Sequence, residues 1–355
     1  WLSALFGVLA VSRAGWRESD LRPLVPLVSG RQWDDLAFAQ ARRILGPHMV
    51  QRGAHSQWDF FHASLRDALM KRGLEDERAR KDIHRLVCDH FESLPASDPL
   101  RIEETMHHLL RLGDRERAAA HLAAAVYDRS PTGERPLHDF PYITTAANTL
   151  VEEIRASSDE ASRKELTDWI AGLMEDEDAL RSLLVANALV FYLNDALAVT
   201  GQRSTEETRF RLLQAARERL SRIREADPKN VLIANALSAS LNRLGDYCRL
   251  RRMSEDAKLP FDAFLPGREI LIRWSEGDER ALRYYQESLD ISRCCYNDNP
   301  MDRSAALNLA GALDRLGDSF FVRAVSTNTQ GDFYFNQSGR DYVSRALDFY
   351  QNSLK

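Results

Sequence analysis

The chain has 355 residues, of which 44% are hydrophobic and 28% charged, and a net charge of −5. That length predicts two or three domains or one elongated array of repeats, and the apolar fraction is enough to build real cores. The charges are interspersed and no basic block occurs, which excludes the electrostatic footprint of a nucleic-acid-binding protein. Cys88, Cys248, Cys294 and Cys295 form no CxxC pair and no secretory signal precedes them, so the expected setting is reduced and cytoplasmic.

In chain order, Trp1 to Arg13 is apolar at helical spacing. It is shorter than the roughly 20 residues that span a bilayer, so no membrane segment is read here. It has no basic lead and reads as a buried helix entered partway along a longer protein. "ALDFYQNSLK" at the other end stops inside a helical pattern. The expectation is therefore an internal piece of a larger chain. "RESDLRPLV" offers Ser19 or Asp20 as a helix cap, with Pro23 in the first turn, where proline is tolerated. "WDDLAFAQARRIL" opens acidic and closes on Arg42 and Arg43, as the helix dipole favours, before Gly46-Pro47 stops it. "PHMVQRGAHSQWDFF" has two apolar stretches about a turn and predicts a small hairpin. Three helices, a hairpin and a closing helix describe a winged helix over residues 1–73.

A helical connector is expected over 74–180. "KDIHRLVCDHFESL" puts Ile83, Leu86, Val87, His90 and Phe91 on one face, and "MHHLLRLGDRERAAAHL" reads as two helices broken at "LGD". Residues 128–141, "DRSPTGERPLHDFP", hold three prolines and form the clearest linker.

From residue 181 to 355 the chain repeats itself. Asn187, Ala188, Leu189, Leu193 and Asn194 recur as Asn235, Ala236, Leu237, Leu241 and Asn242, an offset of 48 (187 to 235). Gly245 returns as Gly317, an offset of 72, and "ALRYYQESLD" from Ala281 returns as "ALDFYQNSLK" from Ala346, an offset of 65. These residues resemble a tetratricopeptide repeat. Its first helix carries a Leu-Gly pair, matched by Leu244-Gly245 and Leu316-Gly317. Its second carries a small residue, an aromatic and a small residue, matched by Ala281, Tyr285 and Ser288 and by Ala346, Tyr350 and Ser353. Small residues let antiparallel helices approach while the aromatic fills the gap toward the next repeat. The family separates that glycine from that alanine by about 12 residues within its unit of about 34; here the separations are 36 (245 to 281) and 29 (317 to 346), so each repeat carries an insertion. The insertions contribute Phe261, Phe264 and Trp274, then Phe333, Tyr334 and Phe335, as candidate anchors for a protein ligand.

"FFHASLRDAL" resembles the F-x-H-x-S-F-Q-E-Y-L segment in the winged helix of STAND-class signalling ATPases, which include the NACHT proteins. Phe61 precedes His62, Ser64 keeps its place, and Leu65, Asp67 and Leu69 stand for Phe, Glu and Leu. The resemblance implies that His62 senses the nucleotide phosphates, with ADP or ATP held in an upstream NTPase domain of the same chain and none within these residues. It also implies repeats that sense a protein ligand, ligand-induced oligomerisation, and a role in antiviral defence. Leu65, Arg66 and Asp67 depart from the family's Phe-Gln-Glu.

No catalytic constellation is visible and no G-x-x-x-x-G-K-[ST] segment occurs, so these residues are not read as an enzyme. His107 and His108 are adjacent and face different sides of a helix, which speaks against a shared metal; His84 and His90, six apart, share a face poorly. A DNA-reading winged helix would need a basic third helix, and Asp34 and Asp35 stand there instead. The alternative to a sensor is a passive repeat scaffold for protein assembly.

Overall fold

In a computed structural model the chain is mostly helical, with two short strands among the described residues. The structure describes the chain apart from residues 14, 54, 73–75, 96, 127–139, 158, 200–202, 257–275, 327–340 and scattered positions after 341. It divides into two compact units, Trp1–Glu152 and Glu153–Lys355.

The first unit runs α1 (Leu2–Val11), α2 (Glu18–Ser29), α3 (Asp35–Ile44), β1 (Met49–Arg52), β2 (Gln57–Phe60), α4 (Ala63–Arg72), α5 (Glu77–Ser93), α6 (Pro99–Leu112) and α7 (Arg115–Val126). It ends within α8 (Phe140–Ala156). Seven of the ten α1 residues are buried, and a helix apolar all round belongs at the centre of a core. It packs against α2, α4, α5 and β2.

β1 and β2 form an antiparallel hairpin with Met49 opposite Phe60 and Arg52 opposite Gln57. Trp16, between α1 and α2, pairs with Trp58 on the free edge of β2, exchanging amide bonds of 3.0 and 2.7 Å. Gly15 permits this pairing: its φ is +88°, and a Cβ there would stand 2.5 Å from the Trp58 carbonyl oxygen. The Trp16 ring is fully buried, donates from Nε1 to the Val8 carbonyl at 2.7 Å and stacks on Phe91.

Local capping explains several of the helix starts. The Asp34, Asp76 and Asp98 side chains accept the first free amides of α3, α5 and α6. Gly113, with φ +72°, closes α6. α2 differs from expectation, because it begins at Glu18 after Arg17 with no side-chain cap. Asp20 is engaged elsewhere: Arg17 grips both Asp20 and Asp98, at 2.7 and 2.8 Å, and His90 reaches Asp20 at 3.1 Å. On α5 the buried face is Ile83, His84, Val87, Cys88 and Phe91. Leu86 and His90 sit at its margin, so the stripe is rotated from the expected one by the burial of His84 and Cys88.

The second unit begins with α9 (Glu160–Ala171) and a 3₁₀ turn, Gly172–Met174. α10 (Ala179–Ala188) then passes through a π-helical turn, Leu189–Leu193, into α11 (Asn194–Val199). Four long helices follow: α12 (Arg203–Ala226), α13 (Val231–Asp256), α14 (Glu276–Asp298) and α15 (Arg303–Ser326). Each of these four packs on the next, and α13 also meets α15. Their shared core includes Tyr247, Ala281, Tyr285, Leu289, Leu316 and Phe320. One helical run among the described residues, Ala179–Ala198, is long and apolar enough to cross a bilayer, and 56% of it is buried within the protein.

Candidate functional site

His62 lies between β2 and α4, where its carbonyl accepts the Leu65 amide at 3.1 Å and so opens the helix. Its ring is exposed, as is the neighbouring Phe61, whose ring meets it edge-on at 4.7 Å. Among the described residues the imidazole has no hydrogen-bond partner. Behind it, Arg66 of α4 pairs with the buried Asp59 of β2, which also takes Arg52 at 2.8 Å. The helix that carries His62 is therefore tied to the hairpin while the histidine itself faces solvent.

A cavity of about 520 Å³ opens between the end of α1 and helices α4, α5 and α6. Five cationic side chains line it, Arg13, Arg66, Arg80, Lys81 and Arg111, against two carboxylates, Asp67 and Glu77. Arg13 is held by Thr149 at 2.8 Å and by Glu152, Arg66 by Asp59, and Lys81 by Glu77 at 2.8 Å. The Arg80 side chain has no ion-pair or hydrogen-bond partner among the described residues. Apolar walls come from Ala10, Val11, Met70 and Leu110.

His84 borders the same cavity and leads into the core. Its Nδ1 stands 2.7 Å from Nδ1 of His108. His108 Nε2 lies 3.3 Å from the Glu104 carboxylate, close but outside hydrogen-bond geometry. Glu104 is fully buried and accepts the Arg13 amide at 3.1 Å and the Ser12 hydroxyl at 3.3 Å. Burial, with His108 and His107 adding repulsion, pushes His84 down to about 2. Burial lowers His108 as well, against the pull of Glu104. Both rings are thus neutral, and only one of the facing Nδ1 atoms bears a proton. The carboxylate favours the proton on His108 Nε2, which makes His108 Nδ1 the acceptor and His84 Nδ1 the donor. His84 Nε2 is left as an acceptor without a partner within the described residues.

Spacing within one helix did not reveal this pair. His84 and His108 belong to different helices, and their meeting depends on how α5 packs on α6. The available signal was a histidine on an otherwise apolar face of α5. Among the described residues no group of three His, Cys, Asp or Glu side chains is set to hold a metal ion.

In the second unit Gly245 packs face to face with Tyr285; a Cβ on the glycine would stand 2.2 Å from the ring. The Tyr285 hydroxyl donates to Asp246 at 2.8 Å, and Arg315 clamps the same carboxylate at 3.0 Å. Ser238 meets Ser288 and Ser292, each at 2.7 Å, where α13 crosses α14. Arg243 pairs with Asp195 at 3.0 Å and covers the Phe191 ring. The aromatic anchors expected in the insertions, Phe261, Phe264, Trp274, Phe333, Tyr334 and Phe335, lie outside the described residues, as do Ala346, Tyr350 and Ser353 of the last repeat.

No protein-family model, no curated protein and no solved structure matches the chain.

Proposed function

We propose that the chain is the regulatory and ligand-sensing region of a STAND-like signalling ATPase. In this reading residues 1–73 are a winged helix, and the helices after residue 181 are tetratricopeptide-like repeats that bind a protein ligand. The observation that carries it is the order α1, Trp16 bridge, α2, α3, β1, β2, α4, with His62 exposed where α4 begins. A histidine that reaches a nucleotide in another domain must be free of partners in its own, and an imidazole suits phosphate sensing because it titrates near neutral pH. Support for the repeats comes from Asp195 and Arg243, which hold the same repeat position 48 residues apart and pair with each other. Adjacent equivalent residues are what stacked repeats produce.

Sensing in such a protein is a population shift. A ligand favours the open form only by as much as it binds that form more tightly, about 5.5 kcal/mol for a complete switch. Ligand-induced oligomerisation and antiviral defence belong to this reading through the family resemblance alone, and cytoplasmic action through the cysteine pattern.

The test uses the native gene extended upstream of Trp1, purified with and without His62→Ala, with bound ADP and ATP measured after denaturation. Nucleotide in the wild type that is lost in the variant supports the sensor. Equal retention makes His62 a structural residue. A second reading, the passive scaffold, is favoured by the Gly245–Tyr285 packing, which needs no nucleotide; finding none in either protein would select it.

A further inference from the structure

The cavity of the first unit has a chemistry that the signalling reading leaves unused. We propose that it binds a small organic phosphate that also carries a hydroxyl group, of the size of a sugar phosphate or mononucleotide. Its volume of about 520 Å³ falls within the usual range for small-ligand sites.

Three observations define the ligand. First, the lining carries more cations than carboxylates, and Arg80 among them makes no hydrogen bond or ion pair in the described residues. Arginine forks match phosphate oxygens in pairs, which makes a phosphate the fitting anion. Second, Arg13 and Arg66 are braced from behind by Glu152, Thr149 and Asp59, so their positions are set before a ligand arrives. Third, His84 borders the same space with an unpartnered Nε2 that accepts, because Glu104 and His108 orient its proton inward. A neutral acceptor beside cations selects a hydroxyl donor on the ligand and leaves a second phosphate no place there. The surrounding arginines would repel a metal ion from the same nitrogen. Met70, Val11 and Leu110 give an apolar wall for the remainder of the molecule.

This site is separate from His62, whose role requires a nucleotide held by another domain. The experiment is calorimetric titration of the 355-residue chain with AMP, ribose 5-phosphate, inorganic phosphate and adenosine. Both esters are expected to bind at least about tenfold more tightly than inorganic phosphate, with adenosine silent, since each lacks one recognised group. Arg80→Gln should weaken ester binding about tenfold or more. Arg85→Gln removes the same charge from the same helix outside the cavity and should leave binding unchanged, as should His62→Ala. Circular dichroism checks that the variants fold, and Arg111→Gln gives a second reading if Arg80→Gln does not. Absence of ester binding, equal affinity for inorganic phosphate, or binding indifferent to both arginine variants would overturn the proposal. The two sites are told apart in the longer protein because Arg80→Gln should release ligand held by this cavity and His62→Ala should not.

Discussion

Gly245→Ala separates the tertiary role of this glycine from its local cost. In the middle of an exposed helix the change would stabilise by about 1 kcal/mol, because glycine is the weaker helix former. Here the added methyl would lie 2.2, 2.6 and 2.8 Å from three atoms of the Tyr285 ring. That ring is fully buried and its hydroxyl is fixed on Asp246 at 2.8 Å, so it has no free direction in which to yield. Overpacking of this kind costs about 1–3 kcal/mol, and displacing the hydroxyl adds about 1 kcal/mol. Set against the propensity gain, the expected result is a net destabilisation of about 1–3 kcal/mol. In a unit of about 200 residues each kcal/mol lowers Tm by about 2–4 °C. Urea unfolding followed by circular dichroism should show a lower midpoint at unchanged slope. In a Tyr285→Ala background the same substitution should become neutral or stabilising, since the obstructing ring is gone. A Gly245→Ala protein as stable as the parent, or more so, would refute the packing argument.

Three further outcomes follow from the first unit. His84 and His121 are held by burial at about 2 and about 4, and His108 is lowered too, whereas unfolded histidines titrate near 6.5. Below pH 6.5 the unfolded chain therefore binds protons that the native one refuses. Stability should fall by about 1.4 kcal/mol per pH unit for each such histidine, and unfolding midpoints that do not change between pH 7 and pH 5 would contradict this. Arg17→Met should cost about 3 kcal/mol at neutral pH by stranding Asp20, which is 2% exposed, together with Asp98. Burial opposes the charge on Asp20, but hydrogen bonds from His90 and Arg17 outweigh it and lower its pKa. That contribution is present at neutral pH and lost as pH falls through the lowered value, so the gap between variant and parent should close in acid; a constant gap would exclude the ion network as its source. Gly15→Ala should destabilise by about 2 kcal/mol or more, since φ is +88° and the methyl would meet the backbone of Trp58; thermal melts within 1 °C of the parent would disprove the tight approach.

What could be read from the residues alone was local. The acidic opening of α3 at Asp34, the helix break at Gly113 and the hairpin around Gly53 are signals carried by a few neighbouring residues, and the structure places elements there. In the second unit the sequence marked Gly245 and Tyr285 as packing residues of two helices, but their contact with each other was found only in the structure. The packing of α5 on α6 decided the rest. It joins His84 to His108 and Glu104 across 24 and 20 positions, builds a cavity from four helices, and takes Asp20 away from capping α2 to bind Arg17 and His90. Periodicity within one helix reports which side faces inward, but not which residue of another helix waits there. Burial then sets the chemistry, because an imidazole or carboxylate removed from water must find its partner in three dimensions.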